Sequence, residues 1–278
     1  MKTRIITGII LLAVFIPVLW FSDTVVFTIA LAVICAVSVY EMTKCIGIKK
    51  AAVTAPSYVF AVAAPFLVRY MNIKTVAMIA FICFSAYMLY LFTAAVTSHG
   101  RLAFADISTL YVLSLYIITA CASIIYIRDF GENGKYIFLL IFIGAWITDT
   151  FAYFTGVFFG KHKLIPDVSP KKTIEGSIGG TVFCAVFYVV FGIVVDRISD
   201  SANANLLLLA IAGLVIAVIS QIGDLIMSVI KRHYGVKDYG KIFPGHGGML
   251  DRFDSILAVS LGIAMLCTFV SLFGLNIL

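Results

Sequence analysis

The stretch Ala204–Met227, ANLLLLAIAGLVIAVISQIGDLIM, contains a single ionisable residue, Asp224. As a helix it would be about 36 Å long at roughly 1.5 Å per residue, enough to cross the apolar part of a bilayer. Eight more segments read the same way, at about 5–21, 24–41, 52–69, 74–96, 106–127, 136–159, 177–195 and 254–275. The rest of the chain agrees: 62% of its 278 residues are hydrophobic, 12% are charged and the mean hydropathy is +1.10. A soluble domain carries about 25% charged residues. With half that charge, a water-soluble fold would leave large apolar patches exposed, so the solvent must be mostly lipid. The expected fold is an all-α integral membrane protein, a polytopic bundle of about nine transmembrane helices. The first segment, with Lys2 and Arg4 before an apolar run to Trp20, imitates a signal peptide. It lacks a small-x-small site before Ser22 and Asp23, and it reads as an uncleaved span.

Basic residues orient the bundle. With the N-terminus inside, 15 of the 20 Lys and Arg fall in cytoplasmic segments; the other side keeps Arg69, Lys74, Arg128, Lys135 and Arg197. Both of the largest polar loops, 160–176 and 228–254, then face the cytoplasm. The net charge of +6 is thereby concentrated on one face. These basic residues sit on short inter-span loops rather than on a docking domain, which argues against nucleic acid as a partner. Cys35, Cys45, Cys83, Cys121, Cys184 and Cys267 show no C-x-x-C spacing and read as small packing residues. The organisation expected is an N-terminal transmembrane region over 1–135 with about five spans. A C-terminal catalytic region over 136–278 follows, with about four spans and both loops.

Acidic residues inside spans are functional candidates, because an isolated one costs about 2.5–3.5 kcal/mol on insertion scales. Asp149 lies well inside the sixth segment, on a stripe with Trp146, Tyr153, Gly156 and Gly160 about 80° wide. A hydrogen bond from Tyr153 to Asp149 is within reach on that face. For Gly156 and Gly160 the simpler role is helix packing. On the eighth segment Gln221, Asp224, Ser228, Lys231 and Arg232 share a face about 100° wide that runs out of the membrane. The loop that follows carries Lys237, Asp238, Lys241, Gly245, His246, Gly247, Gly248, Asp251, Arg252 and Asp254. Glycines let backbone N–H groups approach an anion, and carboxylates are hard ligands for Mg²⁺. In the other loop Ser169 and Pro170 read as N-cap and first residue of a helix, which puts Lys171 and Lys172 in its first turn. Two cations there oppose the helix dipole, an arrangement that a bound polyanion would relieve. No Walker or dinucleotide glycine motif is present, and the four histidines form no H-E-x-x-H.

The stretch Ser228-x2-Lys231-Arg232-x4-Lys237-Asp238-x-Gly240-x2-Phe243-Pro244-x-His246-Gly247-Gly248-Met249-x-Asp251-Arg252-Phe253-Asp254 resembles, at every fixed position, the signature of the phosphatidate cytidylyltransferases, or CDP-diglyceride synthases. The resemblance extends to Trp146-x2-Asp149-x2-Ala152-Tyr153, to Phe159-Gly160-Lys161-His162-Lys163-Leu164 and to Ser169-Pro170-Lys171-Lys172-Thr173-x-Glu175-Gly176. It covers roughly the second half of the chain. Phe151 departs from it, since members of the family often carry Gly there. The resemblance implies an enzyme of a bacterial-type inner membrane, working as a homodimer among membrane lipids with Mg²⁺, a second metal ion staying open. The implied reaction joins CTP and phosphatidate into CDP-diacylglycerol and pyrophosphate by direct displacement at the CTP α-phosphorus. Asp224 and Asp251 look like the metal ligands. Lys171, Lys172, Lys231 and Arg232 look like phosphate clamps, and His246 and Asp254 like residues that orient the loop. Ser169, Glu175, Lys237, Asp238, Gly247, Gly248, Arg252 and Asp149 complete the implied substrate-binding set. Two other readings compete: transfer to another anionic lipid such as an archaeal ether lipid, and ion-coupled transport along Asp149 and Asp224. Transporters more often place their sites at the midplane between repeated halves. Here the polar groups gather toward one face and no repeat is visible.

Overall fold

The computed structural model describes residues 2–199, 203–274 and 277–278. Helices α1 (Lys2–Trp20), α2 (Val25–Ile46), α3 (Ala51–Tyr70), α4 (Ile73–Thr97) and α5 (Phe104–Arg128) come first. A short α6 (Gly134–Ile137) leads into α7 (Leu139–Phe159), followed by strands β1 (Lys163–Ile165) and β2 (Ser169–Thr173). Then come α8 (Ile174–Ile198), α9 (Leu206–His233) and α10 (Leu250–Phe273). Among the described residues eight runs are long and apolar enough to cross a membrane, with Gly134–Phe159 as one of them. The segment expected at about 5–21 is helical as α1, but its described apolar part, Thr7–Trp20, is shorter than the others. Helix α9 continues to His233 rather than ending near 227, and α10 begins at Leu250 rather than near 254.

One local expectation is overturned. No helix begins at Ser169–Pro170. That stretch is β2, paired antiparallel with β1 through Ile165 with Ser169 and Lys163 with Thr173. A two-stranded ribbon has free edges, so the missing N–H of Pro170 is tolerated there. The helix start lies further on, at Thr173. Its backbone is extended (φ −124°, ψ 155°), and its Oγ1 accepts the N–H of Gly176 at 3.1 Å. Lys171 and Lys172 therefore precede the helix on a strand, where adjacent side chains point to opposite faces.

The chain forms two compact units. The first runs up to Ile125 and takes in Tyr234–Arg252; the second is Tyr126–His233 with the chain from Phe253 onward. In the first, α2 is capped by Thr24, whose side chain accepts the Val26 N–H, and ends on Gly47 in the left-handed region (φ 82°). Its residues Phe27, Leu31, Cys35, Val39 and Met42 recur at helical spacing and are buried, with α3 packed alongside. Tyr87 and Tyr90 tie α4 to α3 by donating to the carbonyls of Val53 and Ala52, each at 3.0 Å. The opposite face of α4 exposes Met78, Phe81, Ile82 and Leu89, an apolar surface suited to lipid.

In the second unit α7, α8 and α9 pack around small residues. Gly176, Gly180, Cys184, Tyr188 and Gly192 form one buried row down α8 at a spacing of four. A Cβ at Gly180 would meet the Thr148 carbonyl at 2.7 Å, and one at Gly213 would meet Ala185 Cα at 2.6 Å. Backbones this close are the membrane's substitute for hydrophobic association, which lipid does not drive. Tyr188, fully buried, donates to the Leu140 carbonyl at 2.8 Å.

Candidate active site

In the first unit the glycine-rich loop is anchored at several points. Tyr234 donates to Asp106 Oδ1 of α5 at 3.3 Å, and Thr7 of α1 donates to the Pro244 carbonyl at 3.2 Å. Gly245 and Gly247 have φ of 79° and 87°, conformations that residues with a Cβ rarely adopt. They fold the chain back, so that the N–H of His246 reaches the Phe243 carbonyl and the N–H of Phe243 reaches that of Gly247, both at 2.9 Å. Asp251 is buried, and its Oδ2 accepts the N–H groups of Tyr239 (2.8 Å) and Gly248 (3.0 Å).

This loop encloses a cavity of about 620 Å³ lined by Lys237, Asp238, Lys241, His246 and Arg252 together with Gly247 and neighbouring loop residues. Its size is ordinary for a small-molecule site. Three permanent cations on its wall favour an anion. From the sequence, the loop glycines are expected to offer backbone N–H groups to that anion. At Gly248 this is not so, because the N–H is already held by Asp251, and the charge on the cavity wall comes from side chains instead.

In the second unit a different cluster forms. Lys172 Nζ lies 2.5 Å from Asp224 Oδ2, both side chains about three-quarters buried, and Asp224 Oδ1 accepts from Ser228 Oγ at 3.4 Å. Asp254 lies within electrostatic reach of Asp224, Asp149 and Lys231. Its Oδ1 accepts the Ser255 N–H at 2.8 Å, and Ser255 Oγ donates to Asp149 Oδ2 at 3.3 Å. Asp149 is thus linked to α10, while Tyr153 stands 66% exposed beside Phe154. Lys231 is buried and Arg232 is exposed. The adjacent lysines of β2 part company: Lys171 is exposed, and Lys172 turns inward to its carboxylate.

Glu175 faces the hairpin. Its carboxylate accepts the N–H of Lys161 at 3.1 Å and lies 2.7 Å from His162 Nδ1, which clasps the start of the hairpin to α8. Ser169 is half-buried in β2. Gly156 and Gly160 have the packing role read for them: a Cβ on either would press on Thr173.

Of the expected residues, then, the first unit gathers Lys237, Asp238, His246, Gly247, Gly248, Asp251 and Arg252. The second gathers Asp149, Lys172, Asp224, Lys231 and Asp254 and carries Ser169, Lys171, Glu175 and Arg232 in its hairpin and helices. Sequence reasoning missed Glu41. It is 2% exposed on α2, and it accepts the N–H groups of Met249 (3.0 Å) and Leu250 (2.8 Å) at the start of α10.

Among the described residues no three His, Cys, Asp or Glu side chains converge as a metal cage. The hard carboxylate oxygens that the two clusters do offer fit Mg²⁺, which binds through one or two carboxylates and takes its other ligands from water and substrate phosphates. Asp224, with Asp149 and Asp254 in the same cluster, and Asp251 offer such oxygens.

An apolar helical chain with a basic cavity and a lysine–carboxylate cluster is a membrane protein equipped for anionic substrates. The chain matches the cytidylyltransferase family over residues 2–270, and it belongs to that family. It is similar to proteins named phosphatidate cytidylyltransferase from three staphylococci. It is 34% identical to that of Staphylococcus haemolyticus over 265 residues and to that of Staphylococcus aureus over 276. It is 32% identical to that of Staphylococcus epidermidis over 268 residues. Each comparison covers 93% of this chain and 96% of the relative.

Proposed function

We propose that this chain is a phosphatidate cytidylyltransferase that makes CDP-diacylglycerol and pyrophosphate from CTP and phosphatidate at the cytoplasmic face of a bacterial plasma membrane. The observation that carries the reading is the cavity walled by Lys237, Lys241, His246 and Arg252 in a chain that is otherwise built for lipid. A soluble triphosphate needs such cations, and a membrane-embedded acceptor needs such helices. The sidedness rests on the positive-inside bias.

In the reaction an oxygen of the lipid phosphate forms a bond to the α-phosphorus of CTP, and the bond from that phosphorus to the bridging oxygen of pyrophosphate breaks. The attacking oxygen is already anionic near neutral pH, so no strong general base is called for. The chain's task is alignment and neutralisation of charge. Lys237, Lys241 and Arg252 draw in phosphate oxygens. Lys172 and Lys231 offset the carboxylates of the second cluster and stand ready for phosphate charge. Asp251 keeps the loop in shape through its two backbone bonds, with His246 on the cavity wall. Asp224 in the second unit and Asp251 in the first are each proposed as carboxylates able to hold Mg²⁺, which would supply further neutralisation of phosphate oxygens. A homodimer is the assembly that the resemblance implies, and light scattering of the detergent-solubilised protein checks it.

The reading is tested with purified protein and CTP, offering phosphatidate or an archaeal-type ether-lipid phosphate in mixed micelles. Turnover with phosphatidate supports the proposal. Turnover with the ether lipid alone would reassign the acceptor, and turnover with neither would remove the enzymatic reading.

A further inference from the structure

We infer that Glu41, on the second helix, is a positioning residue that sets the glycine-rich loop for CTP. The inference rests on the cytidylyltransferase reading and gives the N-terminal spans a part in it. The helix start at Met249 and Leu250 presents N–H groups with no intrahelical partner. Glu41 reaches them with both oxygens, Oε1 to Met249 N at 3.0 Å and Oε2 to Leu250 N at 2.8 Å. Its carboxylate also fills the space that side chains at two loop positions would need. A Cβ on Gly240 or on Gly248 would run into Glu41 oxygens. Neither glycine has positive φ, so what they supply at these positions is room for Glu41 rather than an unusual backbone.

Glu41 and Asp251 therefore divide the loop between them. Asp251 holds Tyr239 and Gly248, and Glu41 holds Met249 and Leu250. Gly240 and Gly247 lie on the cavity wall with Lys237, Lys241 and Arg252, and the residues that these carboxylates fix lie beside the lining residues in the chain. A carboxylate at a helix N-terminus would stabilise any helix. A merely structural cap would lower the amount of folded enzyme. A positioning residue changes how tightly the folded enzyme takes its nucleotide.

The test compares wild type, Glu41→Gln, Gly248→Ala, and Glu41→Ala with and without Gly248→Ala. Hydrogen exchange is measured over 239–251 in the substrate-free protein, and KM and kcat are measured for each substrate. Gln keeps one acceptor oxygen and turns an NH₂ group toward the second N–H. Glu41→Gln should therefore speed exchange at Met249 and Leu250. It should raise the KM for CTP about tenfold, the size of one lost hydrogen bond to a charged group, and leave the KM for phosphatidate within about twofold. Gly248→Ala should do the same in wild type and add nothing in the Glu41→Ala background, where the opposing atoms are gone. If Glu41→Ala does not accumulate, Glu41→Gln and Gly248→Ala decide alone. Unchanged exchange, or a fall in kcat with an unchanged KM for CTP, overturns the inference. Should the wild-type protein make no CDP-diacylglycerol, the functional reading fails by itself, and the exchange data still judge whether Glu41 holds the loop.

Discussion

Lys171 and Lys172 are neighbours of the same charge, yet the structure assigns them unequal weight. Lys171 is exposed on β2, whereas Lys172 Nζ pairs with Asp224 at 2.5 Å with only 25% and 27% of the two side chains exposed. Removing one partner of a close, largely buried ion pair costs on the order of the 1.5–3 kcal/mol of an interaction with a charged group, which corresponds to roughly ten- to 150-fold. Partial exposure places this pair toward the lower part of that range. Lys172→Ala should therefore reduce kcat/KM for CTP by about ten- to 50-fold, and Lys171→Ala by less than about threefold, as for a solvated surface charge. The assay is initial rate against CTP at saturating phosphatidate in mixed micelles, with thermal unfolding of each variant as a folding control. Pairing also predicts non-additivity, so Lys172→Ala should cost much less once Asp224 is already Asn. Equal losses for the two lysines, or full additivity with Asp224→Asn, would refute the assignment.

The N–H groups of Tyr239 and Gly248 share one charged oxygen of Asp251, which Asp251→Asn replaces by a neutral amide, so turnover should disappear and exchange over 239–248 should accelerate, as mass spectrometry can record. Thr173→Val removes the α8 cap while keeping the side-chain volume; a loss of about 1 kcal/mol in denaturant unfolding is expected, and Thr173→Ser should restore most of it. Cysteines placed at exposed Asp167 and Lys241 in a cysteine-free background should react with an impermeant thiol reagent in inside-out vesicles and stay unlabelled in intact spheroplasts.

The spans were legible because lipid imposes a crude rule of about 20 apolar residues per crossing, and eight segments among the described residues obey it clearly. The hairpin was not. β1 has three residues and β2 five, so neither shows an alternation long enough to read. Ser169–Pro170 also imitates a helix start, and the true signal, Thr173 three residues before Gly176, was available but weaker. The lysine-rich and glycine-rich loops were found as sequence motifs, but adjacency hid the difference between Lys171 and Lys172, which only the pairing with Asp224 reveals. Glu41 had no local signal at all. It sits at the end of an apolar run, where an acidic residue reads as an ordinary flank, and the backbone it holds is 208 residues away.

The central claim is that a nucleotidyl group passes from CTP to the lipid phosphate. The most direct measurement follows the label when the purified protein is given phosphatidate and CTP labelled with ³²P at either the α- or the γ-phosphorus. The account predicts that α-label enters an organic-extractable lipid in a 1:1 ratio with released pyrophosphate, that γ-label appears only in pyrophosphate, and that neither moves without phosphatidate. Label entering lipid from the γ position, or pyrophosphate released with no labelled lipid, would contradict it.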